Sequence, residues 1–387
     1  MNETRYDWLS DRWVIFAPNR EERPDQYRQA VPVMANELIE CPFCCGHEHE
    51  TPSPTLVLPE NDFDETSSSR KQHPSSRLRH SWQVRVVPNK FPAIPALDSE
   101  QLESARLDSP RFEMPHSLMA SQSIPLDMDG AVCFSSQSHV QTAQAEHLFQ
   151  RNKPRGAHEV IIESPIHVDS ITDLDEDHIS LILEAYRRRL NHWRAQRDLK
   201  YAVIFKNYGS DAGASLYHSH SQLISLDFVP RDIEKVNQRL VLHRQKYGCC
   251  YICQVMNEEE ERQERILTSS EHFVALCPFA SRFPYSFSII PRTHKSRYEE
   301  ITETERDDLA VVVKKTLVSL ESAQPSAAYN FVLQTSPFAG GHEDSYHWRL
   351  RIIPRLSKVA GFEWGSDCYI NTVTPEQAAR TLRAHLQ

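Results

Sequence analysis

The sequence predicts an α+β protein of two similar halves, each an antiparallel sheet with a helix packed on one face, related by pseudo-twofold symmetry. Three observations carry this reading. The same six elements occur twice in the same order: a C-x-x-C pair, an apolar strand leading through proline to histidine, a helix, a second apolar strand, a glycine loop and a histidine strand. Both helical segments carry apolar residues at a helical period. The 387 residues supply enough chain for two such units.

Taken in order, the first copy opens on Cys41-Pro-Phe-Cys44, continues with VIIESPIH ending at His167, and closes on YAVIFKNYGSDAGASLYHSHSQL with His218 and His220. Its helix places Ile179, Ile182, Leu183, Tyr186, Leu190 and Trp193 on one stripe behind an acidic first turn, Asp173 to Asp177. The second copy opens on Cys250-Tyr-Ile-Cys253, continues with FSIIPRTH ending at His294, and closes on YNFVLQTSPFAGGHEDSYHWRL with His347. Thr302 and Glu305 form a capping box ahead of Leu309, Val312, Val313, Leu317 and Leu320. A final helix starts at Thr374-Pro375 and runs to about Leu386, proline suiting the first helical position. The halves are read as residues 1–240 and 241–387, with the charged stretch Asp232 to Tyr247 as the hinge and a long surface excursion at about 98–150.

Charge narrows the class of function. With 43 Lys+Arg against 53 Asp+Glu the net charge is −10, which argues against a nucleic-acid groove or an anionic membrane as partner. The N-terminus lacks a basic segment followed by an apolar one, and no run of about 18 apolar residues occurs, so a cytoplasmic location without membrane contact is expected. Nine cysteines, four of them in C-x-x-C pairs, point to metal before disulfide in a reducing compartment. Two structural Cys2His2 zinc sites are expected, Cys41, Cys44, His167 and His218 in one half and Cys250, Cys253, His294 and His347 in the other. The alternatives are a single filled site, or buried thiols with hydrogen-bonded histidines. Cys45, Cys133, Cys249, Cys277 and Cys368 fall outside the pattern.

The run His218-Ser219-His220-Ser221-Gln222 carries the chemistry. On a strand His218, His220 and Gln222 share a face while the serines face away. A metal-bound His218 would fix its neighbour, making His220 a candidate nucleophile and Gln222 a neutral donor beside it. Upstream, a loop of Asn207, Gly209, Gly213 and Ser215 can bring backbone amides close to phosphate oxygens. Imidazole is neutral near pH 7 and can hold a phosphoryl or nucleotidyl group as a reactive adduct.

The H-x-H-x-Q element, the two C-x-x-C halves and the ending GFEWGSDCYIN resemble the galactose-1-phosphate uridylyltransferase family of the histidine-triad superfamily, over nearly the whole chain apart from the excursion. The resemblance implies duplicated histidine-triad-like halves, a homodimer, and His220 as the nucleophile that forms a nucleotidyl-histidine. It implies Gln222 as support for the transferred phosphate, and Ser215 and Asn207 in the phosphate and nucleotide pocket. By the same resemblance Arg20 and Arg23 become phosphate contacts, Asn89 a neighbour of the nucleotide, and Phe362 and Glu363 contacts to the acceptor sugar. Without it, Arg20 and Arg23 would read as solvated surface charge.

In the second half Arg349 and Arg351 stand where His220 and Gln222 stand in the first, and arginine cannot act as a nucleophile near neutral pH, so only one half is catalytic. The Cys2His2 set of that half departs from the Glu/His metal site of many bacterial uridylyltransferases and resembles the ADP-glucose phosphorylase branch. The expected activity is transfer of a nucleoside monophosphate from a nucleotide sugar to a sugar 1-phosphate, as a UDP-glucose:hexose-1-phosphate uridylyltransferase of galactose metabolism. The alternative is an ADP-glucose phosphorylase-type adenylyltransferase. A zinc-dependent binding module fits less well, given the acidic charge and the intact H-x-H-x-Q.

Overall fold

In the computed structural model the strands of both copies satisfy one another's backbone groups in a single ten-stranded sheet. The structure describes residues 2–18, 41–59, 81–95, 153–325, 327–338 and 340–386. The chain divides into two units, residues 1–96 with 155–387, and residues 97–154. The second unit, which holds the excursion, lies outside the described residues apart from Lys153 and Pro154.

Strands β1 (Glu3–Asp7) and β2 (Arg12–Phe16) form an N-terminal hairpin. The first copy then supplies β3 (Leu56–Leu58), β4 (Val84–Pro88), β5 (Gly156–Ile162), β6 (Tyr201–Tyr208) and β7 (His220–Leu226). The second supplies β8 (Ile266–Ser269), β9 (Phe273–Leu276), β10 (Phe287–Pro291), β11 (Tyr329–Gln334) and β12 (Arg349–Pro354). A last strand, β13 (Tyr369–Asn371), pairs in parallel with β2.

Across the large sheet the order is β3-β4-β5-β7-β6-β11-β12-β10-β9-β8, so the two copies read identically from either edge and meet at β6 and β11. The register locates the symmetry axis. Phe205 pairs with Gln222 in the first copy and Val332 with Arg351 in the second, and Phe205 and Val332 pair with each other. The pseudo-twofold axis therefore passes through that pair.

Among the described residues six helices are interspersed with the strands: α1 (Glu176–Arg194), α2 (Arg231–Tyr247), α3 (Tyr251–Arg262), α4 (Glu303–Ala323), α5 (Gly361–Ser366) and α6 (Pro375–Ala384). The expected stripes of α1 and α4 are buried: Ile179, Ile182, Leu183, Tyr186 and Leu190 on one, Leu309, Val312, Val313, Leu317 and Leu320 on the other. Each such side chain contributes about 1.5–3 kcal/mol by leaving water. Trp193, at the end of the α1 stripe, is half-buried and donates its indole N–H to Glu159 at 3.0 Å. Polar bonds lock the two helices together, Arg306 reaching Ser180 at 2.8 Å and Glu184 at 3.0 Å. Thr302 caps α4 as expected, and Thr374 caps α6, which ends at Ala384.

The stretch Asp232 to Tyr247, read as a hinge, is the helix α2. Its charges occupy the outer face, while Asn237, Leu240 and His243 are buried against the second half. Charge density hid a narrow apolar stripe. Among the described residues no helix is long and apolar enough to cross a membrane.

Candidate active site and metal centres

Each C-x-x-C turn delivers two thiols to two histidines from elsewhere in its half, and each set of four donor atoms lies within 4.8 Å of one another. In the first set Cys41 Sγ is 3.4 Å and Cys44 Sγ 3.6 Å from His218 Nδ1, and Cys44 Sγ is 3.6 Å from His167 Nδ1. In the second, Cys253 Sγ is 3.4 Å from both His294 Nδ1 and His347 Nδ1, with Cys250 Sγ 4.0 Å from the latter. These are the edge lengths of a tetrahedron around a small cation with bonds of roughly 2.0–2.3 Å.

The far nitrogens of three of the four histidines are fixed by backbone carbonyls. His218 Nε2 donates to Ser164 at 2.9 Å, His347 Nε2 to Pro291 at 3.0 Å and His294 Nε2 to Glu343 at 2.8 Å. Carbonyls accept only, so the lone pair of each ring sits on Nδ1, facing the thiols. Both clusters can hold a metal ion.

His220 begins β7 and is 7% exposed. Its Nδ1 donates to the His218 carbonyl at 2.7 Å, which leaves the lone pair on Nε2. Burial pushes its imidazole below the ordinary value, outweighing the carbonyl's opposite pull, so the ring is neutral near pH 7. The Phe43 ring, carried by the first C-x-x-C turn, meets it edge-on at 5.3 Å. One turn thus supplies two thiols of a cluster that can hold a metal ion and a wall for the imidazole.

Gln222 is fixed by a residue that sequence reading missed. His158 on β5 accepts the Ala93 N–H on Nδ1 at 3.1 Å and so donates from Nε2 to Gln222 Oε1 at 2.8 Å. With its carbonyl engaged, Gln222 keeps its amide N–H groups free among the described residues. Asn89 joins the group: its N–H donates to the His158 carbonyl at 2.8 Å, and its Nδ2 lies 3.1 Å from His158 Nε2. Strand parity could have revealed His158, which lies two residues before Val160, the partner of Gln222 across the ladder.

The opposite face of β7 holds a second missed group. Glu163 and Lys206, both buried, pair at 2.6 Å. Ser219 donates to Glu163 at 2.6 Å, Ser221 and Tyr186 also donate to it, and Lys206 reaches the His220 carbonyl at 3.2 Å. The serines that alternate with the histidines therefore anchor the His220 strand from behind. Opposite charges inside the apolar runs VIIE and AVIFK were the available signal.

Between β6 and β7 the loop turns at Gly209 and Gly213, with φ of +80° and +90°. A Cβ at Gly209 would come within 2.8 Å of Ala328, so the close approach itself requires glycine. Asn207 donates to the Gly213 carbonyl at 3.4 Å and accepts from Asn330 of the second half at 3.0 Å. Ser215 is exposed on the same loop. Phe362 and Glu363 sit on α5, where Phe362 is exposed and Glu363 accepts the Ala360 N–H at 3.0 Å. Among the described residues neither shares a hydrogen bond or ring contact with His220 or Gln222. Arg20 and Arg23 lie outside the described residues.

Known proteins resemble this chain over nearly its whole length. A family model described as "Domain of unknown function (DUF4921)" matches residues 134–387. The chain is 30% identical to ADP-glucose phosphorylase of Arabidopsis thaliana over 98% of its own length and 92% of that protein's. It is 31% identical to galactose-1-phosphate uridylyltransferase of Thermotoga maritima over 99% and 98%. The crystal structure of the Arabidopsis thaliana ADP-glucose phosphorylase with bound ADP-glucose superposes with a TM-score of 0.72 at 29% identity, covering 99% of both chains. A duplicated sheet, one intact H-x-H-x-Q strand and full-length likeness to these enzymes agree: the chain belongs to the galactose-1-phosphate uridylyltransferase family, in the company of ADP-glucose phosphorylase, and is an enzyme of that nucleotidyltransferase type.

Proposed function

We propose that the chain moves a nucleoside monophosphate from a nucleotide sugar to a sugar 1-phosphate through a covalent intermediate on His220. In the first step His220 Nε2 attacks the α-phosphorus of the donor; a P–N bond forms, the bond to the bridging oxygen breaks, and sugar 1-phosphate leaves. In the second step a phosphate oxygen of the acceptor attacks the same phosphorus and the P–N bond breaks. The single observation that carries the reading is the tautomer imposed on His220 by the His218 carbonyl, beside an amide held by His158. Gln222 would donate to the charge that grows on the equatorial oxygens, with Ser215 and the loop amides around Gly213 as further donors. Asn207, Asn89, Arg20 and Arg23 would bind the nucleotide and its phosphates, and Phe362 and Glu363 the acceptor sugar.

The leading donor is UDP-glucose with a hexose 1-phosphate acceptor, which fits the uridylyltransferase relatives. Adenylyl transfer from ADP-glucose is the second reading, favoured by full-length likeness to an ADP-glucose phosphorylase. Incubating the protein with UDP-glucose, UDP-galactose or ADP-glucose separately and measuring intact mass decides between them. One nucleotidyl group per chain is expected from one base only, and a folded, metal-loaded sample that takes a label from no donor overturns the proposal.

The donor sets, two thiolates and two imidazoles each, suit zinc in a structural role, since all four tetrahedral positions are filled by protein. Metal analysis is expected to return about two zinc ions per chain. A value near zero in active protein would remove zinc from the account, and a chelator is expected to lower the melting temperature. The free thiols fit a cytoplasmic setting, and the family reading includes a homodimer.

A further inference from the structure

The symmetry axis gives the strand residues of the first site counterparts in the second half. Asn207 corresponds to Gln334, His220 to Arg349, Gln222 to Arg351 and Val160 to Ser288, because each occupies the same place in the ladder. Two residues before Val160 and Ser288, His158 corresponds to Ser286. These five counterparts, with Arg282, all line one cavity of about 920 Å³. That volume lies in the range of small-molecule sites.

The cavity has the chemistry of an anion site. Arg282, Arg349 and Arg351 form no ion pair among the described residues; Arg349 donates only to Gln334 at 3.3 Å, and Arg282 lies over the Phe283 and Tyr369 rings. Nearby acids are engaged elsewhere, Asp232 and Asp367 by Arg12, Asp11 by Arg239, Glu258 by Arg262 and Glu259 by Arg265. Asp7, which faces the arginines, already accepts the N–H groups of Leu9 and Ser10. Burial, then the neighbouring Arg349 and Arg282 charges, push Arg351 down to about 9, a crowding that a bound anion would relieve. The Ser286 hydroxyl is buried without a partner beside them. Trp8, Tyr251 and Phe283 supply aromatic walls.

We infer that the second half binds the phosphate group of a small phosphorylated metabolite in this cavity, non-covalently, as the counterpart of the nucleotidyl site. Guanidinium groups clasp phosphate in bidentate fashion but hold no group covalently, so duplication has left a binding pocket where the other half has a reactive one. The aromatic walls suit a sugar or a base on that phosphate. The inference rests on the arginines and the cavity and does not require the transfer reaction.

Titration calorimetry on the full zinc-replete chain, with inorganic pyrophosphate, glucose 1-phosphate and ADP in separate arms, tests it. At least one probe is expected to show a binding event that Arg349→Gln/Arg351→Gln removes or weakens at least about tenfold, while covalent labelling at His220 persists. Preference for glucose 1-phosphate or ADP over pyrophosphate would identify a sugar or a base as the second recognised part. Should the double variant fold poorly, Ser288→Asp places a carboxylate across the ladder from Arg351 and is expected to fill the anion's role and abolish the same event. Unchanged stoichiometry and affinity in a folded variant, or no binding of any probe to the wild type at millimolar concentration, overturns the inference.

Discussion

His220→Ala is expected to take up no nucleotidyl group from a donor that labels the wild-type chain, and to lose at least about a thousandfold in turnover. The loss should be chemical and local. Among the described residues the ring makes one hydrogen bond, to a carbonyl two residues away, and one edge contact with Phe43. The His218 orientation is fixed independently by the Ser164 carbonyl. Metal content should therefore match the wild type, and the melting temperature should fall by no more than deletion of one buried side chain explains. Intact mass, metal analysis and thermal unfolding on the same sample separate the cases. An undiminished adduct in the variant would place the nucleophile on another side chain. Loss of both label and metal would show that His220 is structural.

Much of the fold was legible because repetition constrains more than composition does. The C-x-x-C turns, the capping box at Thr302 and the stripes of α1 and α4 each depend on local spacing, which a single sequence displays in full. The metal sets were legible for the same reason: two copies of one ligand order leave few other pairings. What stayed hidden depends on neighbours across the sheet. His158 looks like any histidine in an apolar strand until the ladder places Val160 opposite Gln222 and the loop of Ala93 fixes its tautomer. Glu163 and Lys206 lie 43 residues apart, and only the antiparallel pairing of β5 and β6 around β7 brings them together. The stretch of α2 was misread because its charges outnumber the three buried residues that dock it. The anion cavity needed both levels, since arginines in the places of His220 and Gln222 were visible in the sequence but their grouping with Arg282 in a shared space was not.

The buried Glu163–Lys206 pair yields the largest expected change in stability. Lys206→Met keeps the length of the side chain but leaves Glu163 ionised in a site from which water is excluded, at a cost of about 3–5 kcal/mol. The pH dependence distinguishes this cause from loss of packing. In the wild type, burial would raise the Glu163 carboxyl, but the Lys206 charge and the serine hydroxyls overcome it and hold the group below its ordinary value of 4.5. Its contribution is thus fully present above 4.5 and is lost as pH falls through the folded-state value. In the variant the Lys206 charge is gone, the serine hydroxyls alone oppose burial, and the folded value rises above the unfolded one. Glu163 then folds most readily as the neutral acid, so the deficit relative to wild type should grow as pH rises above 4.5 and level off beyond the new folded value. Urea unfolding at several pH values reads this directly, and a deficit independent of pH would assign the loss to packing alone. Glu163→Gln/Lys206→Met should recover part of the stability, because a neutral amide can still accept from Tyr186 and Ser221 without a buried charge. If the double variant is stable yet slow to label His220, the ion pair serves the reaction by holding the His220 carbonyl and its strand in place.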